Sequence, residues 1–353
     1  MLLYIHIPFC DSKCFYCSFN SYTNLFHLKS SYMKALNQQL QHELLKTNTA
    51  LKSIFIGGGT PSSVEAELYN PIFLSLKNFI DKETEITIEA NPNSTTKDWL
   101  KNIKNLGVNR VSFGVQTFNN DKLKFLGRNH DREMAINSVN LAHQVGFKDI
   151  NLDIIYDTAI DTKELINNDL EIIKTLPVNH LSAYSLTIEE GTKFFKKPNV
   201  RIENIDMAQY IFDKLKDFGF TQYEISNFSK DKNSRSRHNF GYWEKDDYLG
   251  VGAGAVGCIG NIRYYPEKDV EKYISNPIHY ESIETLDNED IKFERIFLGL
   301  RSLAGIPVDF FDHHEMKKIK ILEDEKKIHI HDNIVFNNDF LLSDEIALYI
   351  NSH

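Results

Sequence analysis

Three features are scarce or missing in this 353-residue sequence, and each excludes a class of protein. No apolar run approaches the ~18 residues of a membrane-spanning helix, and the N-terminal segment MLLYIHIPFC lacks the positive start and the small-residue cleavage site of a secretory signal. Acidic residues outnumber basic ones by 49 to 40, and the formal net charge of −9 argues against nucleic acid as the main partner. We therefore expect a cytoplasmic globular protein with no transmembrane segment, for which peripheral contact with a membrane stays open.

Cysteine is the third scarce feature. The four cysteines do not form a disulfide framework, because three of them, Cys10, Cys14 and Cys17, fall in one C-x3-C-x2-C segment. A strained disulfide is one interpretation, and a zinc site with His6 or Cys258 as fourth ligand is another. The third is an iron–sulfur cluster, for which thiolates are the usual ligands and four is the usual number. Three thiolates around a four-iron cluster would leave one iron open to a substrate or cofactor, and we favour this interpretation.

Six short apolar runs of strand type recur with helix-sized spacers between them. They are LLYIHI before the cysteines, SIFIGGG from residue 53, EITIEANP from 85, RVSFGVQ from 110, INLDIIY from 150 and HLSAYSL from 180. Alternating strands and helices predict βα units around a parallel sheet, and right-handed crossovers curl such units into a barrel. We therefore predict an α/β fold built on a partial (β/α)6 barrel.

Polar or glycine residues stand at the ends of these runs, where barrel enzymes place their chemistry. Gly59 and Thr60 close the second run, and Glu89 ends the third. Gln116 ends the fourth run, and Asp153 lies inside the fifth. A carboxylate in an apolar strand usually has a hydrogen-bond partner, so each one taken alone has a structural explanation. Facing one cluster from successive strands, these residues together predict a cofactor cradle.

Seven ordered motifs carry a family resemblance: YIHIPFCDSKCFYCSF, GGGTPS, IEANP, RVSFGVQTF, LGRNH, NLDIIY and SAYSLTIEEGT. They are similar to those of the HemN/HemW branch of radical S-adenosylmethionine proteins, over essentially the whole chain. The resemblance implies a 4Fe-4S cluster on Cys10, Cys14 and Cys17, with S-adenosylmethionine as cofactor. It places the cofactor contacts at Tyr4, Tyr16, Gly59, Thr60, Glu89, Gln116, Arg128 and Asp153. One segment departs from the pattern: residues 156–162 read YDTAIDT where the family usually has YGLPGQT, so the shape of that loop is open.

Within this branch the chain resembles the haem chaperones more than the coproporphyrinogen oxidases. Phe19 stands where the oxidases carry a further cysteine, and we expect no N-terminal extension of the kind that reaches into the oxidase active site. The segment RHNFGYW, residues 237–243, matches the H-N-x-x-Y-W motif of the chaperones. His238 is then a candidate axial ligand of haem iron, and Tyr242 and Trp243 are candidates to stack on the porphyrin. The alternative is that His238 fixes a loop while the two aromatic residues pack in the core.

The resemblance implies a protein that binds haem and delivers it to acceptor haemoproteins such as respiratory ones, with bacterioferritin-type donors as a further expectation. The alternatives are an oxygen-independent coproporphyrinogen III oxidase and a radical methyltransferase, and whether the chain is an enzyme stays open. We divide the chain into a barrel, residues 1–230, and a mostly helical, winged-helix-like module, residues 231–353. The glycine-rich segment YLGVGAGAVG, residues 248–257, is interpreted as a structural turn beside the barrel mouth. A monomer or homodimer is expected.

Overall fold

Strands and helices alternate along the first half of the chain in the computed structural model, which describes residues 1–47 and 50–352 except for the side chain of Pro198. The strands are β1 (Leu2–Ile7), β2 (Ser53–Gly58), β3 (Glu85–Ala90), β4 (Arg110–Gln116), β5 (Asp149–Tyr156) and β6 (His180–Ser185). The helices that follow them are α1 (Lys29–Leu44), α2 (Asn70–Leu76), α3 (Lys97–Leu106), α4 (Asn120–Leu126), α5 (Arg132–Val145), α6 (Lys163–Thr175) and α7 (Ile205–Asp217). The six predicted strands are therefore confirmed, with small differences at their ends.

The remaining strands of the large sheet are β7 (Thr221–Gln222), β8 (Asn227–Ser229), β9 (Tyr248–Val251), β10 (Gly257–Ile259), β11 (Ile262–Pro266) and β12 (Tyr280–Thr285), and two short helices, α8 (Arg237–Trp243) and α9 (Val270–Ser275), lie among them. The strand order is β12-β11-β10-β9-β1-β2-β3-β4-β5-β6-β8-β7. All pairs from β9 through β1 to β6 are parallel, and the outer pairs are antiparallel. The predicted partial barrel is confirmed, and β9 adds a parallel strand beside β1. The glycine-rich segment is thus part strand and part turn.

The barrel strands turn mainly apolar side chains outward and mainly polar or small side chains inward, with the Phe55 ring of β2 as an inward apolar group. In β1, Ile5 and Ile7 join the main hydrophobic core, which packs the sheet against the helices. Successive strand residues point to opposite faces, so Tyr4 and His6 lie on the inner face. Asp153 of β5, between the core residues of that strand, lies on the inner face for the same reason. A barrel with a polar inner face differs from one filled by layers of aliphatic side chains, and its interior is suited to a polar ligand.

The end of the chain adds a smaller unit with its own core. It contains α10 (Asn288–Gly299), β13 (Ile306–Pro307), α11 (His313–Asp324), β14 (Ile328–His331), β15 (Ile334–Asn337) and α12 (Ser343–Asn351). The three strands form an antiparallel sheet in the order β13-β15-β14, and Ile296, Ile319 and Ile346 belong to a hydrophobic cluster separate from the main core. The mostly helical C-terminal module is therefore confirmed. The large sheet continues to Thr285, so the boundary at residues 230 and 231 stays a prediction.

No helix among the described residues combines the length and the apolar character needed to cross a membrane.

The short helix α8, which carries the H-N-x-x-Y-W motif, closes the end of the barrel at which the parallel strands begin. The carboxylate of Glu85, the first residue of β3, accepts hydrogen bonds from the backbone N–H groups of Arg237 and His238, both at 3.1 Å. The His238 side chain lies against the start of β2, with Nδ1 2.9 Å from Ser53 Oγ and Nε2 3.1 Å from the Tyr242 hydroxyl. Five steps of about 3.3 Å along β2 put roughly 16 Å between this end and the carboxyl end of that strand.

The imidazole of His238 is fully enclosed by the barrel. Its exposed fraction is 1 %, and its ring stacks on Phe55 of β2 with centroids 5.2 Å apart. Burial lowers the pKa of His238 to about 3, so the ring is neutral near pH 7. A neutral ring has one donor and one acceptor nitrogen, and the hydroxyls of Ser53 and Tyr242 satisfy both. In this geometry His238 fixes α8 to the barrel, as the structural alternative expects.

We predict that His238→Ala lowers the free energy of unfolding by about 2–4 kcal/mol, because it leaves a cavity and two unpaired hydroxyls. Unfolding by urea at pH 7.5 measures the change. The loss should shrink as pH falls from about 6.5 towards 4, since the folded pKa of His238 lies below its ordinary value of 6.5 and the stability it contributes is lost on acidification.

The matched control is His331→Ala, because the His331 side chain is 72 % exposed on β14. That change should stay within about 0.5 kcal/mol of wild type. Equal stabilities of His238→Ala and wild type would show that the ring has no structural role and is free for a ligand.

Candidate functional site

The three clustered cysteines lie in a loop that leaves β1 and is anchored at its base and on its far side. At the base, the Cys10 N–H donates to the Tyr22 carbonyl at 3.1 Å, and the Tyr22 N–H donates to the Pro8 carbonyl at 2.8 Å. On the far side, the Phe15 N–H donates to the carbonyl of Leu126, the last residue of α4, at 3.0 Å. Backbone hydrogen bonds of the chain itself therefore fix the position of the thiols.

The donor set fits an iron–sulfur cluster better than the two alternatives. All three thiols are free, with Cys10 buried and Cys14 and Cys17 half-buried, so no disulfide joins them. Among the described residues no three His, Cys, Asp or Glu side chains converge where they could hold a single metal ion. Burial raises the pKa of Cys17, and the nearby thiols of Cys14 and Cys10 raise it further. Three neighbouring free thiols are a donor set of the kind that holds an iron–sulfur cluster.

Glycines at the end of β2 bring backbone and carboxylate into close contact. The Gly58 N–H donates to Glu89 Oε2 at 3.0 Å. A Cβ on Gly57 would lie 2.9 Å from the same oxygen, and a Cβ on Gly59 would lie 2.8 Å from the carbonyls of Ile7 and Phe9. The glycines therefore allow a close approach, at this carboxyl end of the barrel, that any side chain would block.

Two carboxylates on the inner face repel each other across the barrel. Burial and, to a smaller extent, the negative charge of Asp153 raise the pKa of Glu89 to about 8, and the Gly58 N–H opposes the shift. Burial also raises the pKa of Asp153, although Asn151 Nδ2 donates to its Oδ1 at 2.7 Å. Near pH 7 Glu89 is largely protonated. A cationic group of a ligand that binds beside Glu89 would therefore displace this proton.

Tyr4 and His6 support the cysteine loop from the inner face of β1. His6 Nε2 lies 2.8 Å from the Asn20 carbonyl, and its Nδ1 lies 2.9 Å from the Tyr4 hydroxyl. A carbonyl only accepts, so Nε2 carries the proton and Nδ1 accepts from Tyr4. Asn20 in turn donates to the carbonyl of Ala253, beyond β9, at 3.0 Å. Both nitrogens of His6 are therefore engaged, and ligation of a metal by His6 would require the ring to leave one of these partners.

Arg128 joins the cysteine loop to the strand ends. Its Nη1 donates to Cys14 Sγ at 3.2 Å, and its Nη2 donates to Asn91 Oδ1 at 2.6 Å and to the Gly114 carbonyl. Tyr16 hydrogen-bonds the same guanidinium, and burial raises the pKa of the Tyr16 hydroxyl. A planar guanidinium at this position is suited to a ligand carboxylate, which it can hold through two oxygens.

Gln116 ends β4 in a left-handed conformation, with φ of 69°, at an irregularity in the pairing of β4 with β5. A Cβ on Gly114 would lie 3.1 Å from Gln116 Nε2, 3.2 Å from Arg128 Nη2 and 3.3 Å from Asn91 Oδ1. The three polar groups therefore meet above Gly114. The predicted cofactor contacts Gln116 and Arg128 are thus brought together, and Asn91 joins them.

The loop whose sequence departs from the family pattern, residues 156–162, is anchored by the carboxylates of Asp157 and Asp161. Asp157 adopts φ of 64° and accepts hydrogen bonds from Ser185 Oγ at 2.6 Å and from the Asn204 N–H at 3.1 Å. Asp161 pairs with Lys122 Nζ at 2.6 Å, and both side chains are buried. Lys122 belongs to α4, which precedes Arg128, so the altered loop is tied to the element that carries this arginine.

Two residues near the mouth are not among the predicted contacts. Asn91 follows Glu89 by two positions, and because alternate strand residues share a face, this spacing was a usable signal. Lys122 is a buried lysine whose partner Asp161 lies far along the chain, and no local pattern indicates it. The haem candidates His238, Tyr242 and Trp243 lie on α8, at the opposite end of the barrel from the cysteine loop.

Comparison with known proteins gives consistent findings. The model of the Radical SAM superfamily matches residues 4–157, which include the cysteine loop and β1 to β5. The "Heme chaperone HemW" of Bacillus subtilis is 35% identical over 318 residues, covering 86% of this chain and 84% of that protein. The "Heme chaperone HemW" of Haemophilus influenzae is 34% identical over 353 residues, covering 95% of this chain and 91% of that protein.

The solved structure of coproporphyrinogen III oxidase (HemN) from Escherichia coli has a similar fold. It superposes with a TM-score of 0.83 over 99% of this chain and 90% of that one, at 20% sequence identity. At this identity the likeness concerns the fold alone, and the relatives named above decide the family. The chain therefore belongs to the HemW family of the radical SAM superfamily.

Proposed function

We propose that the protein binds haem and delivers it to acceptor haemoproteins, on a scaffold that holds a 4Fe-4S cluster and S-adenosylmethionine. The observation that carries the proposal is the match over most of both chains to proteins named heme chaperone HemW. The grouping of three free thiols with Glu89 and Arg128 at one barrel mouth supports the cofactor part. Thiols that bind a cluster need a reducing compartment, so we place the protein in the cytoplasm and expect respiratory haemoproteins among its acceptors.

The proposed cofactor contacts follow the geometry of the mouth. Cys10, Cys14 and Cys17 hold the cluster, which when bound supplies an iron with an open coordination position. Arg128 is placed to orient the carboxylate of S-adenosylmethionine, and Glu89 to accept its ammonium group or ribose. The remaining proposed contacts lie around them: Tyr4, Tyr16, Gly59, Thr60, Gln116 and Asp153.

Haem contact through α8 stays a prediction, and it requires the side chain of His238 to change its hydrogen-bond partners. Both nitrogens of His238 already have hydroxyl partners, so axial ligation requires the ring to leave Ser53 or Tyr242. The Trp243 indole lies beside Glu224, a buried carboxyl whose pKa burial raises to about 7. We propose that α8 opens when haem binds there.

The alternative function, oxidation of coproporphyrinogen, is supported by the fold alone. Phe19, at the position where the resemblance expects a further cysteine in an oxidase, is 63 % exposed and offers no thiol. A radical methyltransferase is the other alternative, and no contact in the described residues favours it over the chaperone.

Parallel assays on one anaerobically reconstituted preparation test the proposal. We expect stoichiometric haem binding, transfer of that haem to an apo-haemoprotein, and no vinyl-group formation from coproporphyrinogen. Decarboxylation of the porphyrinogen propionates would identify an oxidase. Transfer of a labelled methyl group from S-adenosylmethionine to an added substrate would identify a methyltransferase.

The cluster has its own prediction. Cys10→Ser, Cys14→Ser and Cys17→Ser should each lose most of the bound iron and the brown absorbance after reconstitution, because thiolates are the expected ligands. Cys258→Ser is the matched control, since Cys258 lies on β10 outside the loop, and it should retain both. Iron loss in the Cys258 variant would mean that the site has a fourth protein thiolate.

A further prediction concerns pH and Glu89. Because the pKa of Glu89 is raised to about 8, binding of an ammonium group must displace its proton. The affinity for S-adenosylmethionine, measured by titration calorimetry, should therefore rise by up to about 25-fold between pH 6 and 7.5. Glu89→Gln should bind about 1–3 kcal/mol more weakly and show a flat profile, since the amide does not titrate.

Three other ionisable groups act on Glu89: Asp153, Tyr4 and Tyr184. Burial raises the pKa of both tyrosines, so they stay neutral through this range. Asp153→Asn should shift the rise in affinity to lower pH, because it removes the charge that repels the Glu89 carboxylate. A wild-type affinity that is constant from pH 6 to 7.5 would contradict the assignment of Glu89 to the ammonium group.

A further inference from the structure

Hydrogen bonds link two of the three clustered cysteines through side chains at the strand ends. Arg128 Nη1 lies 3.2 Å from Cys14 Sγ, and Arg128 Nη2 lies 2.6 Å from Asn91 Oδ1. Asn91 Nδ2 lies 3.0 Å from Thr60 Oγ1, which lies 3.4 Å from Cys10 Sγ. The sequence of contacts runs from Cys14 through Arg128, Asn91 and Thr60 to Cys10.

Elementary chemistry fixes the direction of every link. A guanidinium has donors and no acceptor, so the Asn91 carbonyl oxygen must face Arg128. The Asn91 amide nitrogen then faces Thr60 and donates to its hydroxyl oxygen. The Thr60 hydroxyl has one proton, and it uses that proton to donate a hydrogen bond to the Cys10 sulfur. All donors therefore point away from the guanidinium and towards sulfur.

The side chain of Asn91 has these two partners, and its backbone is held separately. The Asn91 N–H donates to Ser62 Oγ at 2.9 Å, and its carbonyl accepts from Thr95 Oγ1 at 2.8 Å. The turn after β3 therefore keeps its anchoring when the amide is removed. The backbone contacts therefore hold the turn, and the amide group is left to bridge Arg128 and Thr60.

We infer that Asn91 relays the positive charge of Arg128 to Cys10, so that one guanidinium stabilises negative charge on two of the thiolates of the proposed cluster. Each hydrogen bond in such a chain polarises the next one. Hydrogen bonds to ligand sulfurs are among the factors that set cluster reduction potentials, and partners outside the ligand set tune the metal. Reduction adds an electron to the cluster, so donors that stabilise negative charge on sulfur raise its potential. This inference rests on the cluster of the proposed function.

The three thiols differ in this respect. The Cys14 sulfur accepts a hydrogen bond directly from the guanidinium, whereas the Cys10 sulfur is connected to the guanidinium through Asn91 and Thr60. The Ser21 hydroxyl also reaches Cys10, and a backbone amide, that of Phe19, reaches Cys17. Removal of the relay should thus leave Cys14 and Cys17 unaffected and weaken the donor at Cys10. The Asn91 side chain acts on Cys10 only through Thr60, so we assign it as a positioning residue.

The test is the midpoint potential of the reconstituted cluster without S-adenosylmethionine, from a titration with dithionite and mediators followed by electron paramagnetic resonance. The couple is one-electron, with dithionite as the reductant. Asn91→Ala and Thr60→Val should each lower the ratio of reduced to oxidised cluster about threefold to tenfold at a fixed solution potential, where tenfold corresponds to 59 mV for one electron. Thr60→Ser, which keeps the hydroxyl, should restore the wild-type potential.

The double variant Thr60→Val/Asn91→Ala distinguishes a relay from two separate effects. Residues in one chain act as a unit, so its shift should not exceed the larger single shift. Ser94→Ala is the matched control, because the Ser94 hydroxyl lies in the same turn and bonds Ser62 and the Asn91 carbonyl outside the chain. Its potential should equal that of wild type.

Two results would overturn the relay alone: unchanged potentials in both single variants with full iron content, or additive shifts in the double variant. If Asn91→Ala does not hold iron, equal potentials of Thr60→Val and Thr60→Ser would still overturn the relay. Failure of the wild-type protein to take up a cluster would overturn the proposed cofactor, and the relay with it.

Discussion

The close approach of β1 and β2 at their carboxyl ends is the constraint on which the site depends. The Gly59 N–H donates to the Ile7 carbonyl at 2.7 Å, and a Cβ on Gly59 would come within 2.8 Å of the carbonyls of Ile7 and Phe9. A residue without a side chain lets the two backbones pass here. The cysteine loop therefore leaves β1 directly beneath Thr60, whose hydroxyl reaches Cys10 at 3.4 Å. The close packing of the backbones at Gly59 thus determines where the Cys10 thiol lies.

Acidic groups and one guanidinium lie around the carboxyl ends of the parallel strands. Burial raises the pKa values of Glu89, Asp153 and Cys10, so the negative charge of each group is costly when no cation is near. Arg128 supplies positive charge beside Cys14. A ligand that brings further positive charge, such as iron, an ammonium or a sulfonium group, would lower the cost of that negative charge. The same electrostatics that make the unliganded site costly to ionise therefore favour the proposed cofactors.

The sequence predicts the local part of this arrangement well. Strand runs and their ends are readable because alternate residues share a face and parallel strands end at one edge, which places Glu89 and Asp153 correctly on the inner face. The strand β9 was interpreted as a turn because three glycines among residues 250–254 obscure its pattern. Long-range contacts have no local signal: the pairing of Lys122 with Asp161 and the docking of α8 on Glu85 depend on how the barrel closes.

The docking of α8 places the two family motifs at opposite ends of one barrel. Ser53 and Glu85, the first residues of β2 and β3, hold α8, whereas the cysteine loop follows the last residue of β1. Between the two ends, the Tyr4 ring lies 6.3 Å from Phe55, which stacks on His238 at 5.2 Å. A haem held by α8 would therefore not touch a cluster at the mouth. Any influence of one on the other would have to pass through these packed rings and the strands that carry them, so the proposed haem contact and the proposed cofactor contacts are separate sites.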